Sequence, residues 1–124
     1  MYDLNGKDRK SINVIKGSIR IAFRRSKLYK AVVKRARREV QEGFYKNKKP
    51  KIGVWYECAI CRKNFKPDQI EVDHIEEVGP FDGSFDNWVA RVYCDIDNLQ
   101  VLCKGCHKEK TKVYNKTMEA AKLL

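Results

Sequence analysis

Cys58-Ala-Ile-Cys61 and Cys103-Lys-Gly-Cys106 are two CxxC pairs separated by 41 residues. Each pair lets two sulfur atoms reach one ion from a tight turn, and two such pairs are the usual way to hold a tetrahedral Zn²⁺. The 41 intervening residues are more than a minimal zinc ribbon needs. The sequence therefore predicts a structural zinc bound by Cys58, Cys61, Cys103 and Cys106, with something functional built inside the loop that zinc closes.

Both histidines of the chain lie inside or directly beside this cysteine frame. His74 follows Asp73 within the enclosed loop, and His107 follows the last cysteine. Each feature alone has an ordinary explanation, because Asp73-His74 could be a polar strand end and His107 could be an alternative zinc ligand. Asp97-Asn98, further along the loop, could be a turn or a helix cap. The joint order of these features is what favours a catalytic site beside the zinc.

Positive charge is concentrated in the N-terminal part of the chain. The 124 residues carry a formal net charge of +11. Residues 1–51 hold 17 Lys+Arg against 4 Asp+Glu, a net +13, whereas residues 52–124 hold 10 against 12, a net −2. Such a basic segment favours a polyanion, most often nucleic acid, because it neutralises phosphates and releases counterions. A basic surface that only aids solubility is the plainer alternative.

This charge split predicts one domain in two parts, a basic N-terminal arm at residues 1–51 and a cysteine-framed module at residues 52–124. Apolar spacing predicts a helix over residues 12–42, or two helices if Ser26 caps a second one at Lys27. Gly43 and the basic run 46–51 predict a break or linker. Strands are predicted at 54–58 and 69–75, a helix or a strand at 87–94, and a helix at 103–123.

The order of the motifs resembles the HNH endonuclease family. The matching stretches are Glu71-Val-Asp-His-Ile75, Asp97-Asn-Leu-Gln-Val-Leu-Cys103 and Cys103-Lys-Gly-Cys-His-Lys-Glu-Lys-Thr111. The resemblance covers about residues 55–115, and the whole chain looks like the small free-standing HNH proteins of bacteriophages. It implies an α+β fold with a ββα-metal (HNH/His-Me finger) core, in which two strands and a helix grip one catalytic divalent ion. The four-cysteine zinc site would staple this core, and the basic helical arm would precede it.

The resemblance also implies a role for each site residue. Asp73 and His107 would bind the catalytic ion, and such an oxygen and nitrogen pair suits Mg²⁺, Mn²⁺ or another divalent transition metal. His74 would be the general base that takes a proton from water, since imidazoles titrate near neutral pH. Asn98 would hold the strand or loop that orients His74. The implied reaction is hydrolysis of DNA phosphodiester bonds, by nicking or double-strand cutting, with 3′-hydroxyl and 5′-phosphate products.

Local geometry adds two expectations. Neighbours in a strand point to opposite faces, so a site that uses both Asp73 and His74 requires the strand to end or twist there. Lys110 and Thr111 lie three and four residues after His107 on the predicted helix, and therefore share its face, which suits a phosphate path. Contacts with double-stranded DNA are expected from these two residues and from the basic face of the arm, namely Arg24, Arg25, Lys34, Arg35 and Arg38.

The remaining signals concern the surroundings of the protein. The first six residues lack the apolar h-region of a signal peptide, and no apolar run approaches the roughly 20 residues that span a membrane. Five cysteines without such a signal favour a reducing compartment, so we expect a cytoplasmic location, in the host if a phage encodes the chain.

Cys94 is expected to be a small buried hydrophobic residue. Trp88 is expected to anchor the core or a loop, with stacking on a base as the alternative.

Three functional hypotheses remain at this level. The first is a DNA endonuclease, and the second is a non-catalytic zinc-containing module that binds nucleic acid through the basic arm. The third is an interaction protein, for instance an accessory of phage packaging proteins. A module that only binds has no need for Asp73, His74 and His107 together, so their presence favours the enzyme. Deleting residues 1–45 should then weaken DNA binding far more than it disturbs the metal sites.

Overall fold

The computed structural model describes residues 9–123, which form an α+β fold. Its helices are α1 Arg9–Arg24, α2 Lys27–Ala36, α3 Phe85–Val92 and α4 Lys104–Lys122. Its strands are β1 Arg37–Phe44, β2 Pro50–Glu57, β3 Asn64–Phe65, β4 Ile70–His74 and β5 Leu99–Cys103. The predicted fold class is thereby confirmed. The segment considered for a signal peptide and the first eight residues of the arm lie outside the described residues.

The basic arm begins with two helices that meet at Ser26. The Ser26 hydroxyl accepts a hydrogen bond from the Tyr29 N–H at 3.2 Å and so caps α2, as the sequence predicts. Helix α2 ends at Ala36, however, and the predicted helix over residues 37–42 is wrong. Arg37 adopts an extended backbone (φ −64°, ψ 133°) that begins β1, because the peptide groups of this segment pair with those of β2.

Strands β1 and β2 form an antiparallel hairpin that pairs from Arg37 opposite Tyr56 to Phe44 opposite Pro50. The turn closes where the Tyr45 N–H donates to the Lys49 carbonyl at 2.9 Å. Residues 46–51, predicted as a break or linker, are therefore the turn and the start of β2. Because β2 also pairs with β3, the basic arm and the cysteine-framed module share one three-stranded sheet.

A second sheet and the last helix position the candidate site. Strands β4 and β5 pair antiparallel from Ile70 opposite Cys103 to His74 opposite Leu99. Strand β5 runs directly into α4, whose first turn is capped by the Cys103 sulfur, which accepts from the Cys106 N–H at 3.4 Å. Two antiparallel strands followed by a helix are consistent with the expected HNH-type core. Strand β4 ends at His74, but Asp73 and His74 both pair in regular register with β5, so the strand shows no irregularity between these two residues.

The main hydrophobic core joins the arm to the cysteine-framed module. Its buried members come from α1, α2, α3, β5 and the loop after β4, namely Phe23, Val32, Val78, Trp88, Val92, Leu99 and Val101. Trp88 has no exposed surface, so it is a core residue and cannot stack on a base. The segment that contains it is the helix α3, which resolves the ambiguity at 87–94. No helix within residues 9–123 has the length and apolar character needed to cross a membrane.

Candidate active site and metal centres

The four cysteines of the two CxxC pairs converge on one point. One pair lies in the turn after β2, and the other lies where β5 becomes α4. The four sulfur atoms all lie within 4.8 Å of one another. A tetrahedral zinc with Zn–S bonds of ~2.3 Å requires sulfurs about 3.8 Å apart. The cluster therefore fits a zinc ion that joins the β2 turn to the start of α4.

The protonation behaviour of these thiols also suits a metal. Burial opposes ionisation of Cys58, but backbone hydrogen bonds from Cys103, Cys61 and Ile60 outweigh it and lower the pKa of this thiol to about 6. The Cys103 side chain, together with burial, instead raises the pKa of Cys106 to about 12. One thiolate therefore forms easily, while further thiolates repel it. A divalent cation shared by all four sulfurs would remove that repulsion.

Asp73 is a buried carboxylate that faces α4, with 3% of its surface exposed. Gln100 Nε2 donates to Asp73 Oδ2 at 2.9 Å, and Lys110 Nζ lies 3.1 Å from the same oxygen. His107 Nε2 lies 3.5 Å from Asp73 Oδ1. A buried charge without such partners would cost several kcal/mol. The carboxylate is thus held in place next to the imidazole with which it would share a metal ion.

Glu71 holds His107 from the opposite side of the ring. Its Oε2 forms a short contact with His107 Nδ1. When the ring is neutral, the carboxylate accepts the Nδ1 hydrogen, which leaves the Nε2 lone pair directed toward Asp73. Sequence reasoning assigned no role to Glu71. The available signal was its position two residues before Asp73, since residues i and i+2 of a strand share a face.

His74 points to the other face of β4. Its Nε2 lies 2.8 Å from the Val92 carbonyl, and its ring centroid lies 5.4 Å from that of Phe23. A carbonyl oxygen only accepts, so Nε2 carries a hydrogen, and in the neutral ring the lone pair is then on Nδ1. His74 nevertheless lines the same cleft as Asp73 and His107, a space of about 980 Å³. The cleft is therefore lined both by an imidazole and by a candidate metal-ligand pair, which lie on opposite faces of β4.

Asn98 fastens the loop that follows His74. Its Oδ1 accepts from the Glu76 N–H at 2.8 Å, and its Nδ2 donates to the Glu76 carbonyl at 3.3 Å. Its own carbonyl accepts from the Ile75 N–H at 2.8 Å. Its Nδ2 also lies 3.6 Å from the sulfur of Cys94, which packs against the main core. Among the described residues no hydrogen bond joins Asn98 to the His74 ring, so Asn98 acts on that ring through the backbone that it fastens.

The basic residues of the arm that are predicted to contact DNA differ in whether they line the cleft, are exposed, or form ion pairs. On the arm, Arg24 lines the cleft, and so does Arg20, one helical turn before it, which the sequence analysis did not single out. Arg25 and Lys34 are exposed. Arg35 and Arg38 are also solvent-accessible but form ion pairs, at 3.5 Å with Asp97 and at 3.1 Å with Glu57.

The two predicted DNA contacts on α4 differ from each other. Thr111 is exposed. Lys110 is mostly buried, and its Nζ donates to the His74 carbonyl at 2.9 Å and to Glu77 Oε1 at 2.7 Å, besides its contact with Asp73. Burial lowers the pKa of Lys110, but hydrogen bonds to Glu77 and Asp73 outweigh it and raise the pKa overall. Its ammonium is therefore committed to neutralising the carboxylates of the site.

Comparison with known proteins agrees with the motif resemblance. A curated protein of Lactococcus phage SK1, named "Probable HNH endonuclease", is 39% identical over 59 residues. The match covers 48% of this chain and 57% of the phage protein, so the chain matches only about half the length of this curated relative. No family model matches, and no solved structure matches. The chain resembles the HNH endonuclease family, through motifs that lie in and around the cleft.

Proposed function

We propose that this protein is a metal-dependent DNA endonuclease that hydrolyses phosphodiester bonds, by nicking or by double-strand cutting. The observation that carries the proposal is that Asp73, His74 and His107 line one cleft, at the junction of β4, β5 and α4. The named resemblance to a probable HNH endonuclease supports the same reaction. A protein that only binds DNA has no use for a buried carboxylate held against an imidazole.

Each of these residues has a distinct task in the proposed reaction. Asp73 and His107 hold one divalent ion, Mg²⁺, Mn²⁺ or another transition metal, through an oxygen and a nitrogen. When bound, such an ion stabilises negative charge on the scissile phosphate and on the leaving 3′ oxygen. His74 acts as the general base, and its Nδ1 accepts a proton from the attacking water while the Val92 carbonyl holds Nε2.

The surrounding residues keep this geometry fixed. Asn98 fastens the backbone directly after His74, and is thus a positioning residue. Lys110 balances the charge of Asp73 and ties α4 to the end of β4. The zinc bound by the four cysteines performs no chemistry and holds the start of α4, so that His107 reaches the cleft.

The proposed substrate is double-stranded DNA. The basic arm at residues 1–51 supplies most of the positive charge for binding, and the module at residues 52–124 performs the cleavage. Arg24, at the edge of the cleft, is placed to contact a phosphate, together with exposed Arg25, Lys34 and Thr111. Because the matched relative is a phage protein, we further propose a role in the host cytoplasm in phage DNA processing or packaging, with packaging proteins as partners.

The test is conversion of supercoiled plasmid DNA with added Mg²⁺ or Mn²⁺, comparing the wild type with His74→Ala. Loss of a general base typically slows a reaction by about 10²–10⁴-fold, so we expect His74→Ala to cleave at least a hundredfold more slowly (roughly the lower limit). Exposed Lys108, on the outer face of α4, provides the control, and Lys108→Ala should cleave at the wild-type rate.

Two outcomes would contradict the proposal. Equal cleavage by the wild type and His74→Ala would remove His74 as the base. No cleavage by either protein, combined with tight, salt-sensitive DNA binding, would instead identify a non-catalytic zinc-containing module.

A further inference from the structure

The outer half of the β1–β2 hairpin belongs almost entirely to the basic arm, but none of its residues is among those proposed above to contact a phosphate. Residues 41–52, from the last pairs of β1 through the turn to the start of β2, are all exposed on both strands. They keep their shape through the hairpin's own hydrogen bonds, including that of the Lys48 N–H to the Tyr45 carbonyl at 2.9 Å. We call residues 41–52 the ribbon.

The ribbon carries unpaired positive charge. Lys46, Lys48 and Lys49 form no ion pair within residues 9–123, in contrast to Arg35 and Arg38 on the body of the protein. The one acidic residue of the ribbon is Glu42, and it is already engaged. Its Oε1 accepts from Trp55 Nε1 at 2.7 Å and lies 3.4 Å from Lys66 Nζ. The charge that the ribbon presents to a partner is therefore positive.

Apolar side chains accompany these lysines. Phe44, Tyr45 and Ile52 are 68%, 55% and 51% exposed, next to the turn. A hairpin tip that only ended the sheet would gain nothing from large apolar groups in water. Lysines beside exposed aromatic rings suit a nucleic acid, which offers phosphates together with the faces of sugars and bases.

The dimensions of the ribbon fit a DNA groove. Four residues of β1 and three residues of β2 lie in the ribbon, which at ~3.3 Å per residue gives its strands a length of roughly 10–13 Å. The major groove of duplex DNA is about 8.5 Å deep and 12 Å wide and admits a two-stranded ribbon. The neighbouring base of the hairpin is braced by Lys66, whose Nζ lies 4.0 Å from the centre of the Trp55 ring.

We propose that the β1–β2 ribbon is a second DNA-binding element, which enters the major groove and contacts phosphates through Lys46, Lys48 and Lys49. This inference deepens the proposed function and rests on it for the choice of duplex DNA as the partner. The helices of the arm and the ribbon would then hold the duplex at separate places while the cleft cuts between or beside them.

The experiment compares two triple variants in a His74→Ala background, so that binding is measured without cleavage. The ribbon variant is Lys46→Gln/Lys48→Gln/Lys49→Gln, and the matched control is Lys108→Gln/Lys112→Gln/Lys116→Gln on the exposed face of α4. The probe is a short blunt-ended DNA duplex titrated at several salt concentrations. Zinc content and thermal midpoint are measured for each variant, and both should match the parent because the ribbon contributes nothing to the core.

Each phosphate contact contributes about 0.9 to the slope of log affinity against log salt, so the ribbon variant should lose roughly 3 from that slope. The control variant should lose less than about 1. Phe44→Ala should weaken binding by about tenfold and leave the slope unchanged, because a ring contact releases no counterions.

An unchanged slope in the ribbon variant, or an equal loss in the control, would overturn the inference. So would failure of the parent protein to bind the duplex at low salt. These results are separate from the cleavage assay with the wild type. DNA binding that depends on the ribbon lysines, without cleavage by the wild type, would support the ribbon inference and contradict the proposed nuclease. Cleavage by the wild type, with an unchanged salt slope in the ribbon variant, would support the nuclease and contradict the ribbon inference.

Discussion

The imidazole of His107 lies between two carboxylates, and this decides which of its nitrogens can bind a metal. Glu71 contacts Nδ1, and Asp73 lies 3.5 Å from Nε2. A carboxylate that holds the far nitrogen fixes both the tautomer and the orientation of a ligand ring. We therefore infer that Glu71 positions His107 for the proposed catalytic ion.

Glu71→Ala should weaken binding of Mg²⁺ or Mn²⁺ by about 10–100-fold, the usual effect of removing such a partner. Glu71→Gln should recover part of the loss, because its amide oxygen still accepts the Nδ1 hydrogen. Calorimetric titration with Mn²⁺ measures the affinity directly and does not depend on cleavage. Glu109→Ala, an exposed position on α4, is the control. Wild-type affinity in Glu71→Ala would show that Glu71 has no part in metal binding.

The sequence indicated some site residues and missed others for a physical reason. Asp73, His74 and His107 stood out because their order along the chain is distinctive. Glu71 did not stand out, because its contact with His107 forms only when α4 packs across β4. No local sequence pattern indicates that packing. Lys110 was correctly placed on the face of His107, but only the packing shows that its ammonium reaches Asp73.

At the scale of elements, a zinc ion bound by the four cysteines would connect two pieces of backbone that are far apart in the sequence. Its ligands join the turn after β2 to the start of α4, around a small cluster formed by Cys58, Leu102 and Cys103. Structural zinc in small domains contributes roughly 10–16 kcal/mol of apparent binding energy, as much as the whole stability of a typical domain of about 5–15 kcal/mol. We therefore expect that bound zinc is required for α4 to hold His107 in the cleft.

Removal of zinc by a chelator at neutral pH should lower the thermal midpoint and abolish cleavage, and acid should do the same. In the metal-free fold the pKa of Cys58 is lowered to about 6, so the stability contributed by its thiolate is lost as pH falls through that value, and bound zinc should move this loss to lower pH because it holds the thiolates deprotonated. Zinc content and melting are measured across this range. Cys61→Ser should lose zinc, whereas Cys94→Ser, outside the frame, should retain it. Unchanged melting after complete zinc removal would contradict a structural role.

Helices and strands were predicted correctly where a capping residue accompanied the periodic pattern. They were missed where pairing with another strand determines the backbone conformation. Ser26 marked the boundary between α1 and α2, and its cap is present. Strand β1 was missed because its sequence, Arg-Arg-Glu-Val-Gln-Glu-Gly-Phe, has too few apolar residues to display a period of two. Its extended form depends on pairing with Trp55 and Tyr56, a contact formed across the turn. The charge-rich turn resembled a linker because the strand pairing on either side of it is not visible in the local sequence.

At the scale of the whole molecule, the basic arm is part of the folded body as well as a source of charge. Phe23 on α1 is 5% exposed, and its ring packs on Tyr29, Tyr93 and His74 with centroids 5.3 to 5.6 Å apart. Val32 on α2 is buried in the same core. The structure therefore argues against the expectation that deleting residues 1–45 would disturb the metal sites far less than DNA binding. The deletion would remove β1, the partner of the strand that leads to Cys58, and the residues Phe23 and Val32, which share one core with β5.

Phe23→Ala should reduce the free energy of unfolding by about 3–5 kcal/mol, the usual cost of truncating a buried phenylalanine. Ile21→Ala, two residues earlier on the same helix and 48% exposed, should cost less than about 1 kcal/mol because much of that side chain is already in water. Urea denaturation of the zinc-loaded protein measures both. Equal, small losses would mean that α1 is a detachable arm. A large loss confined to Phe23→Ala would mean that the proposed DNA-binding charge of the arm and the proposed base His74 belong to one cooperative unit.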